Sequence, residues 1–331
     1  MRLATYNVEW FNTLFDNDEA LVLDDQWSSR WNVTKAAQAN ALGTVFKALD
    51  ADAVMIIEAP DTSRKRDAIL ALEQFAAHFG LRTTTALTGF TNDTQQEIAL
   101  LYDPNVLSAA HAPGGSEEYP AFDQTFDMDI DIDARTDPIV WSKPPLEVAL
   151  TPKAGAPMHL IGVHAKSKAP HGARDEKQAT AMSIANRRKQ LAQCIWLRGR
   201  VEERLQAGEN LVVMGDFNDG PGLDEYEKLF GRSSIEIVLG EGAEHALKLF
   251  DPHAHQALTQ PLGPRVATSR FFMRKQKRYL NALLDYIMVS PRLTGNWHVW
   301  HPFDDPECWG NNDLSAALLT ASDHFPVTID F

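Results

Sequence analysis

The chain contains few cysteines and no long apolar segment. Only Cys194 and Cys308 occur among 331 residues, which excludes a disulfide framework, and no Cys/His spacing typical of a zinc site is present. Residues 1–20 lack the apolar core of a signal peptide, and no apolar run reaches the length of a membrane span. We therefore expect a cytoplasmic protein in a reducing compartment, with no membrane span and no obligate protein partner.

The chain also has fewer basic than acidic residues. The chain has 31 lysines and arginines against 45 aspartates and glutamates, a formal net charge of −14. Because surfaces that bind polyanions are usually positively charged, this balance disfavours tight, non-specific binding of nucleic acid. It does not exclude a locally basic cleft, and a bound metal ion would supply positive charge of its own.

Internal repeats and low-complexity tracts are absent as well, and a hydrophobic content of 44% allows a large core. Short apolar or β-branched runs predict strands at residues 3–10, 53–58, 97–102, 159–164, 211–216, 283–289 and 325–331. Helical periodicity lies between several of these runs, and such mixing predicts α/β layers.

Apolar residues at helical spacing predict three helices, around residues 42–49, 69–79 and about 176–206. Asn32 and Thr34 are candidate caps for the first helix. Ser63 is a possible start for the second helix, and Gly80 would end it.

Residues 126–133 alternate aspartates with apolar side chains. Such aspartates could bind calcium, but a calcium loop also needs a glycine for its sharp turn, and this segment has none. The period of two therefore favours a half-exposed strand.

Asp216 and Asn218 close one of the apolar runs. Residues two apart in an extended chain share a face, so a charged oxygen and a neutral amide would lie together. This combination suits a phosphate ester beside a divalent metal ion. The alternative is a turn in which both side chains bond to the backbone.

Asp285 lies inside a strongly apolar strand, where a buried carboxylate needs a partner. A histidine is the natural candidate, because a carboxylate orients the ring and stabilises its protonated form. His324 follows Asp323 just before the last apolar run, and an imidazole there could take a proton from water or hold a phosphoryl oxygen. An Asp-His pair can equally be structural.

Glu58 and His164 also end apolar runs. A glutamate at a strand end is the hard oxygen ligand that Mg²⁺ uses. His164 is followed by Lys166 and Lys168, an arrangement that could serve the leaving group of a phosphate ester. The alternative is a solvated loop after the strand.

Taken together in chain order, these segments resemble the endonuclease/exonuclease/phosphatase superfamily. The resemblance is carried by Tyr6-Asn7, Ile57-Glu58, Gly162-Val163-His164, Gly215-Asp216-Phe217-Asn218, Leu284-Asp285-Tyr286 and Ser322-Asp323-His324. It implies an α/β (α+β) fold, a four-layer α/β/β/α sandwich of two mixed β-sheets packed face to face and flanked by helices. Because the segments lie at both chain ends, it also implies a single catalytic domain over residues 1–331.

The resemblance further implies a metal side and a water side of one site. A divalent metal ion, Mg²⁺ or Mn²⁺, would be bound on the side of Glu58, Asp323 and Asn7. Asp216 and Asn218 would position the attacking water and the phosphate.

By the same resemblance, Asp285 would orient His324, which would act as general base or bind the phosphate. His164 would stabilise the phosphate or protonate the leaving group, and Glu97 would orient His164. This histidine is typical of the deoxyribonuclease I and sphingomyelinase branches.

Two positions depart from the family pattern. Ile57 stands where the family often has glutamine, and Lys143-Pro144-Pro145 stands where many nuclease members have Arg-Pro-Pro. Lysine attracts a phosphate but lacks the bidentate fork of arginine. Lys143 and Lys166 are our candidates for contacting the substrate phosphate.

The resemblance implies phosphodiester hydrolysis by in-line attack of water, and we expect a nucleic acid substrate, DNA or RNA. Residues 270–278 hold five cations interleaved with aromatic side chains, which could follow a backbone and stack bases. The alternative for this segment is a solvated basic loop.

Two other functions stay open. The net charge favours a smaller phosphoester, such as a phospholipid headgroup or a phosphorylated metabolite. An inactive binding module would be favoured by loss of a ligand, but every expected ligand is present. Aromatic residues at 297–303 and Trp309 could line the cleft, although core packing explains them equally well.

Overall fold

The structure of the protein, a computed structural model, describes residues 1–94, 96–129, 136–170, 172–222, 231–260, 266–274, 276–306, 308 and 310–331. The predicted alternation at 126–133 lies partly outside these residues, and a strand is described at Phe126–Met128. Trp309 lies outside them as well. Within the described ranges, no helix combines the length and apolarity needed to span a bilayer.

The structure has a strand or helix at each position that the sequence predicts, and several more that were not predicted. The described strands are β1 (Arg2–Asn7), β2 (Ala53–Ala59), β3 (Thr85–Thr88), β4 (Glu97–Tyr102), β5 (Leu107–His111), β6 (Phe126–Met128), β7 (Asp137–Ile139), β8 (Leu146–Pro152), β9 (Met158–His164), β10 (Leu211–Asp216), β11 (Ser269–Met273), β12 (Arg278–Ala282), β13 (Asp285–Val289), β14 (Asn296–Val299) and β15 (Val327–Asp330). The described α-helices are α1 (Lys35–Leu49), α2 (Ala68–Phe79), α3 (Glu176–Gln206), α4 (Ser234–Leu239), α5 (Pro252–Thr259) and α6 (Asn312–Ala321). Each of the seven predicted runs contains a strand, and the three predicted helices are α1, α2 and α3.

The helix ends follow ordinary capping chemistry, with one correction. Thr34 caps α1 by accepting a hydrogen bond from the first turn, and Gly80 ends α2 in the left-handed conformation at φ 64°. Ser63 does not start α2. Asp67 does, because its carboxylate accepts hydrogen bonds from two backbone N–H groups of the first turn.

Two mixed sheets form the centre of the fold. The first sheet has the strand order β14-β15-β1-β2-β4-β3, and the second has the order β13-β10-β9-β8-β5. Each sheet contains one parallel pair, β1 with β2 and β9 with β10, and its other pairs are antiparallel. Period-two alternation gives each sheet two apolar faces, one for the other sheet and one for helices.

The layers are held together by three groups of buried apolar side chains. Met55, Ile98, Leu160 and Met214 belong to the group between the sheets. The outer face of the first sheet is covered by α1, α2 and α6. The outer face of the second sheet is covered by α3 and α4. The predicted four-layer α/β/β/α sandwich is therefore confirmed.

Strand pairing brings polar residues to one edge of the sandwich. In the second sheet, Asp216 ends β10 and is paired with His164 at the end of β9 and with Asp285 at the start of β13. In the first sheet, Asn7 ends β1 beside the end of β2. His324 lies just before β15, which pairs with β1.

Candidate active site

His324 and Asp285 form a buried pair at this edge. Nδ1 of His324 lies 2.8 Å from Oδ2 of Asp285. The backbone N–H of Asp285 donates to Oγ1 of Thr268, which fixes the main chain from which the carboxylate extends. Burial alone would lower the pKa of His324, but the carboxylates of Asp285 and Asp216 outweigh burial and raise this pKa to about 10.

Asp216 lies at the centre of the polar cluster. Its Oδ1 accepts a hydrogen bond from the backbone of Asn218 at 2.7 Å, and its Oδ2 accepts from the side-chain amide of Asn7 at 3.1 Å. Nε2 of His164 and Nε2 of His324 lie 3.7 Å and 3.9 Å from the same Oδ2. Burial raises the pKa of Asp216, and His324 opposes that rise. Side chains from both sheets therefore surround the carboxylate of Asp216.

Glu58 is directed into the site by a β-bulge. The register between β2 and β4 shifts between Ile57 and Ala59, and Glu58 has a left-handed φ of 63°. Its Oε2 accepts hydrogen bonds from the backbone of Trp10 at 2.9 Å and from Nε2 of Gln96 at 2.5 Å. Its other oxygen accepts no hydrogen bond from any residue that the structure describes.

Asp323 also lines the site, next to His324. Its backbone N–H donates to Oε2 of Glu9 at 3.0 Å, and the same carboxylate pairs with Arg30. Oδ1 of Asp323 is 4.0 Å from Nε2 of His324. Neither carboxylate oxygen of Asp323 accepts a hydrogen bond within the described part of the chain, so both remain available to a ligand.

His164 is buried against Lys143. Nζ of Lys143 lies 3.2 Å from Nδ1 of His164 and also contacts Oε1 of Gln96. Because an ammonium group only donates, this contact makes Nδ1 the acceptor and leaves the ring proton on Nε2. Burial, followed by the charges of Lys143, His324 and Lys166, holds the pKa of His164 well below its usual value.

Glu97 does not orient His164, contrary to the sequence-based expectation. Its Oε1 accepts a hydrogen bond from the backbone of Thr62 at 3.0 Å, and its Oε2 has no partner among the described residues. The reason is strand parity. Glu97 alternates with Ile98, which points between the sheets, whereas Gln96 has the same parity as Ile98 and reaches the site.

The loops that carry these residues are held by buried side chains of α3. Nε2 of Gln190 donates to the backbone carbonyls of Lys166 and Asn218, at 2.9 Å and 3.0 Å. Arg187 is fully buried and pairs with Asp219 at 2.7 Å. The second-sheet loops are therefore packed against α3.

Together these residues surround a single cavity of about 600 Å³. It is lined by Asn7, Glu9, Trp10, Glu58, Gln96, Ser142, Lys143, His164, Ala165, Lys166, Ser167, Ala169, Asp216, Asn218, Phe271, Asp323 and His324. Of the predicted site residues, Asp285 supports the cavity from behind His324, and Glu97 faces away.

Strained backbone is concentrated at this cavity. Of the eight non-glycine residues with positive φ in the described chain, four line the cavity, namely Glu9, Trp10, Glu58 and Asn218. A left-handed conformation costs such residues roughly 1–3 kcal/mol each and persists only where the surroundings enforce it. The clustering is typical of a functional site.

The donor set fits a hard divalent cation. Ligand atoms of Asp216, Asp285 and His324 lie within 4.8 Å of one another. Nδ1 of His324 is already hydrogen-bonded to Asp285, however. We therefore interpret His324 and Asp285 as a charged pair beside the carboxylate of Asp216, and not as metal ligands. Glu58 and Asp323 instead present carboxylate oxygens without hydrogen bonds to the cavity, and such oxygens are the ligands that Mg²⁺ and Mn²⁺ prefer.

A two-stranded ribbon, β11 with β12, borders the cavity. The backbone N–H of Arg270 donates to the carbonyl of Asp323 at 2.8 Å, and the ring of Phe271 lies 5.5 Å from that of His324. By contrast, the aromatic residues at 297–303 do not line the cavity, and Trp300 is buried in the core.

A sequence model of the Endonuclease/Exonuclease/phosphatase family matches residues 4–324. The chain belongs to this family. Similar folds include a 3′-5′ exonuclease from Neisseria meningitidis, at 15% identity over 100% of this chain and 99% of that chain, with a TM-score of 0.52. Another is TDP2 from Caenorhabditis elegans, at 13% identity over 100% of this chain and 74% of that chain, with a TM-score of 0.51. A search among curated proteins finds no significant match.

Several residues that line the cavity were not predicted from the sequence, above all Gln96, Glu9 and Trp10. Gln96 precedes Glu97, and strand parity could have shown that only one of the two faces the site. Glu9 and Trp10 lie two and three residues after Asn7, but their left-handed backbone is not evident from the sequence.

Proposed function

We propose that residues 1–331 form one catalytic domain, a metal-dependent phosphodiesterase that hydrolyses DNA or RNA by in-line attack of water. The observation that carries this proposal is the arrangement around the cavity. The carboxylates of Glu58 and Asp323, the ring of His324 paired with Asp285, and the ring of His164 all meet at this one cavity. Such an arrangement can contact a phosphate through all three groups.

Glu58 and Asp323, with the amide of Asn7, would hold Mg²⁺ or Mn²⁺. When bound, the ion would neutralise charge on the phosphate and the leaving group. Gln96 donates to the Oε2 of Glu58 and would fix the direction of that carboxylate.

His324 and Asp216 flank the place from which water would attack. Nε2 of His324 lies 3.9 Å from Oδ2 of Asp216, and Asp285 holds the ring in this orientation. Asn218 fixes Asp216 through its backbone N–H and its side-chain amide. Asp216 would orient the water and accept its proton, and His324, which is protonated beside Asp285, would bind an oxygen of the phosphate.

His164 would serve the leaving group. Since Lys143 donates to Nδ1, the Nε2–H of His164 faces the cavity and can donate to a phosphate or leaving-group oxygen. Lys143 is placed to position this ring, and Lys166 lines the cavity where a phosphate would lie.

The experiment that tests this function uses purified protein stripped with chelator and then supplied with Mg²⁺ or Mn²⁺. Supercoiled plasmid, single-stranded DNA, RNA, sphingomyelin and an inositol phosphate are offered separately. We expect metal-dependent nicking or degradation of nucleic acid, with turnover reduced by about 10²-fold or more in His324→Ala. His245→Ala, which changes an exposed histidine away from the cavity, is the matched control.

Two outcomes would contradict the proposal. Release of product from the lipid or the inositol phosphate alone would assign the site to a small phosphoester, the alternative that the net charge of −14 favours. Binding without turnover of any substrate would indicate an inactive module.

A further inference from the structure

Two exposed tryptophans are connected with the cavity, Trp10 directly and Trp31 through neighbouring residues. Trp10 lines it and keeps 41% of its surface exposed, while Trp31 is 82% exposed. Large rings left in water next to a site of charged residues are a costly feature in a folded protein, and exposed apolar surface of this kind marks binding sites.

The backbone holds Trp10 in place at a cost. Glu9 and Trp10 are consecutive residues in the left-handed region, at φ 48° and 61°. The N–H of Trp10 donates to Oε2 of Glu58, so the position of the ring is tied to a carboxylate of the site. Strain retained in this way is typical of a functional segment.

Trp31 is connected to residues of the cavity in two ways. Its neighbour Arg30 is partly buried and pairs with Glu9, which lines the cavity. On the other side, the guanidinium of Arg274 lies 4.9 Å from the centre of the Trp31 ring. Arg274 follows β11, whose Phe271 also lines the cavity.

All charged residues near Arg274 in the sequence are positive. Residues 266–284 contain five cations and no acidic residue, although the whole chain carries a net charge of −14. A guanidinium beside an exposed indole offers both a phosphate partner and a stacking plane. The positive charge of residues 266–284, together with an exposed indole, therefore complements a nucleic acid, which carries both phosphates and flat bases.

We propose that Trp10, Trp31 and Arg274, which we name the tryptophan subsite, stack unpaired bases of a polynucleotide next to the phosphate that is cleaved. This proposal rests on the nuclease function proposed above. Single strands fit better than a lipid surface, because Trp10 lines a cavity of charged and polar residues, which an extruded base can enter and the plane of a bilayer cannot. The subsite would select single-stranded or frayed ends over paired duplex.

The test measures binding separately from hydrolysis. In a His324→Ala background with Mg²⁺, fluorescence anisotropy compares a labelled single-stranded DNA oligonucleotide with one of the same length whose bases are replaced by abasic units. We expect Trp10→Leu and Trp31→Ala each to weaken binding of the base-containing strand by about tenfold and to leave the abasic strand unchanged. Trp27→Ala is the control, since Trp27 is an exposed tryptophan that neither lines the cavity as Trp10 does nor is the ring that Arg274 contacts.

The outcomes separate this inference from the function on which it rests. Equal losses for both strands, or no loss in either tryptophan variant, would overturn the subsite even if the parent protein cleaves DNA. Base-dependent losses in a protein that cleaves no nucleic acid would support the subsite and refute the nuclease. Loss of binding to phosphatidylglycerol vesicles in Trp31→Ala, with oligonucleotide binding intact, would assign the surface to lipid instead.

Discussion

Oδ2 of Asp285 lies 2.8 Å from Nδ1 of His324, and this contact joins the two sheets at the cavity. Asp285 begins β13 of the second sheet, while His324 precedes β15 of the first. The pair therefore depends on the packing of the whole sandwich. It also makes His324 a cation at neutral pH, since the neighbouring carboxylates raise its pKa to about 10.

The first prediction concerns Asp285→Asn. The substitution keeps the shape of the side chain but removes the charge that orients and stabilises the imidazolium, so we expect turnover to fall by about 10²-fold or more. Circular dichroism and thermal unfolding should show an intact fold. Asp304→Asn, which neutralises an exposed aspartate, is the control. Wild-type turnover in metal-loaded Asp285→Asn would show that the pair is structural only.

The second prediction concerns Gln96→Leu. Gln96 donates to Glu58 and accepts from Lys143, so its loss frees both side chains at once. Residues that orient a metal ligand typically contribute about 10–100-fold in affinity, and we expect a loss of this size for Mg²⁺ or Mn²⁺. Calorimetric titration of each metal into the purified variant measures it.

Glu97→Gln is the matched control for that experiment, because the adjacent side chain faces the opposite side of the sheet. It should leave metal affinity unchanged. If Glu97→Gln weakened metal binding while Gln96→Leu did not, our assignment of the two faces would be wrong.

The contrast between Gln96 and Glu97 shows what the sequence could and could not predict. Strand runs and helices follow from periodicity, and polar residues at strand ends such as Asp216 and His324 could be grouped by the family's motif order. The partner of His164 could not be predicted in this way. It depends on which of the neighbours Gln96 and Glu97 faces the site, and on the β-bulge at Glu58. Both features are set by tertiary packing.

The third prediction is a pH dependence of stability at Glu97. Burial raises the pKa of this side chain from 4.5 to about 7, with the Thr62 N–H acting in the opposite direction. Between these values the folded protein keeps a proton that the unfolded chain has released. The stabilising contribution of this proton is therefore complete below pH 4.5 and is lost as the pH rises through about 7.

Glu97→Gln removes this titration while keeping an acceptor for the Thr62 N–H. We expect the free energy of unfolding of the variant, relative to the wild type, to increase by at least about 1 kcal/mol between pH 5 and pH 8. Urea unfolding at both pH values gives the comparison. A difference that stays constant with pH would mean that Glu97 is ionised in the folded protein.

The fourth prediction concerns Lys143, which holds Nδ1 of His164 at 3.2 Å. Lys143→Met keeps the apolar stem and removes the donor, so the ring can adopt the other tautomer and turn its acceptor to the cavity. We expect kcat to fall by about tenfold to 10²-fold, with a smaller change in KM. Lys143→Arg should recover part of the activity, because a guanidinium can still donate. A pure increase in KM would assign Lys143 to substrate binding alone.

The fifth prediction tests how the chain turns into the site at Gly215, just before Asp216. Gly215 has φ 138°, and a Cβ there would lie 2.1 Å from the carbonyl oxygen of Val163. That oxygen belongs to the backbone of β9 and cannot move without breaking the parallel pair that aligns Asp216 with His164. We therefore expect Gly215→Ala to cost about 3 kcal/mol or more in the free energy of unfolding.

Gly242→Ala separates the two causes of that cost. Gly242 also has a positive φ, 82°, but a Cβ there would meet no atom of the described residues within 4 Å, so only conformational strain is added. This control should lose about 1 kcal/mol. Equal losses at the two glycines would mean that the β9–β10 pair tolerates a side chain at this point, and that contact with Val163 does not determine where Asp216 enters the cavity.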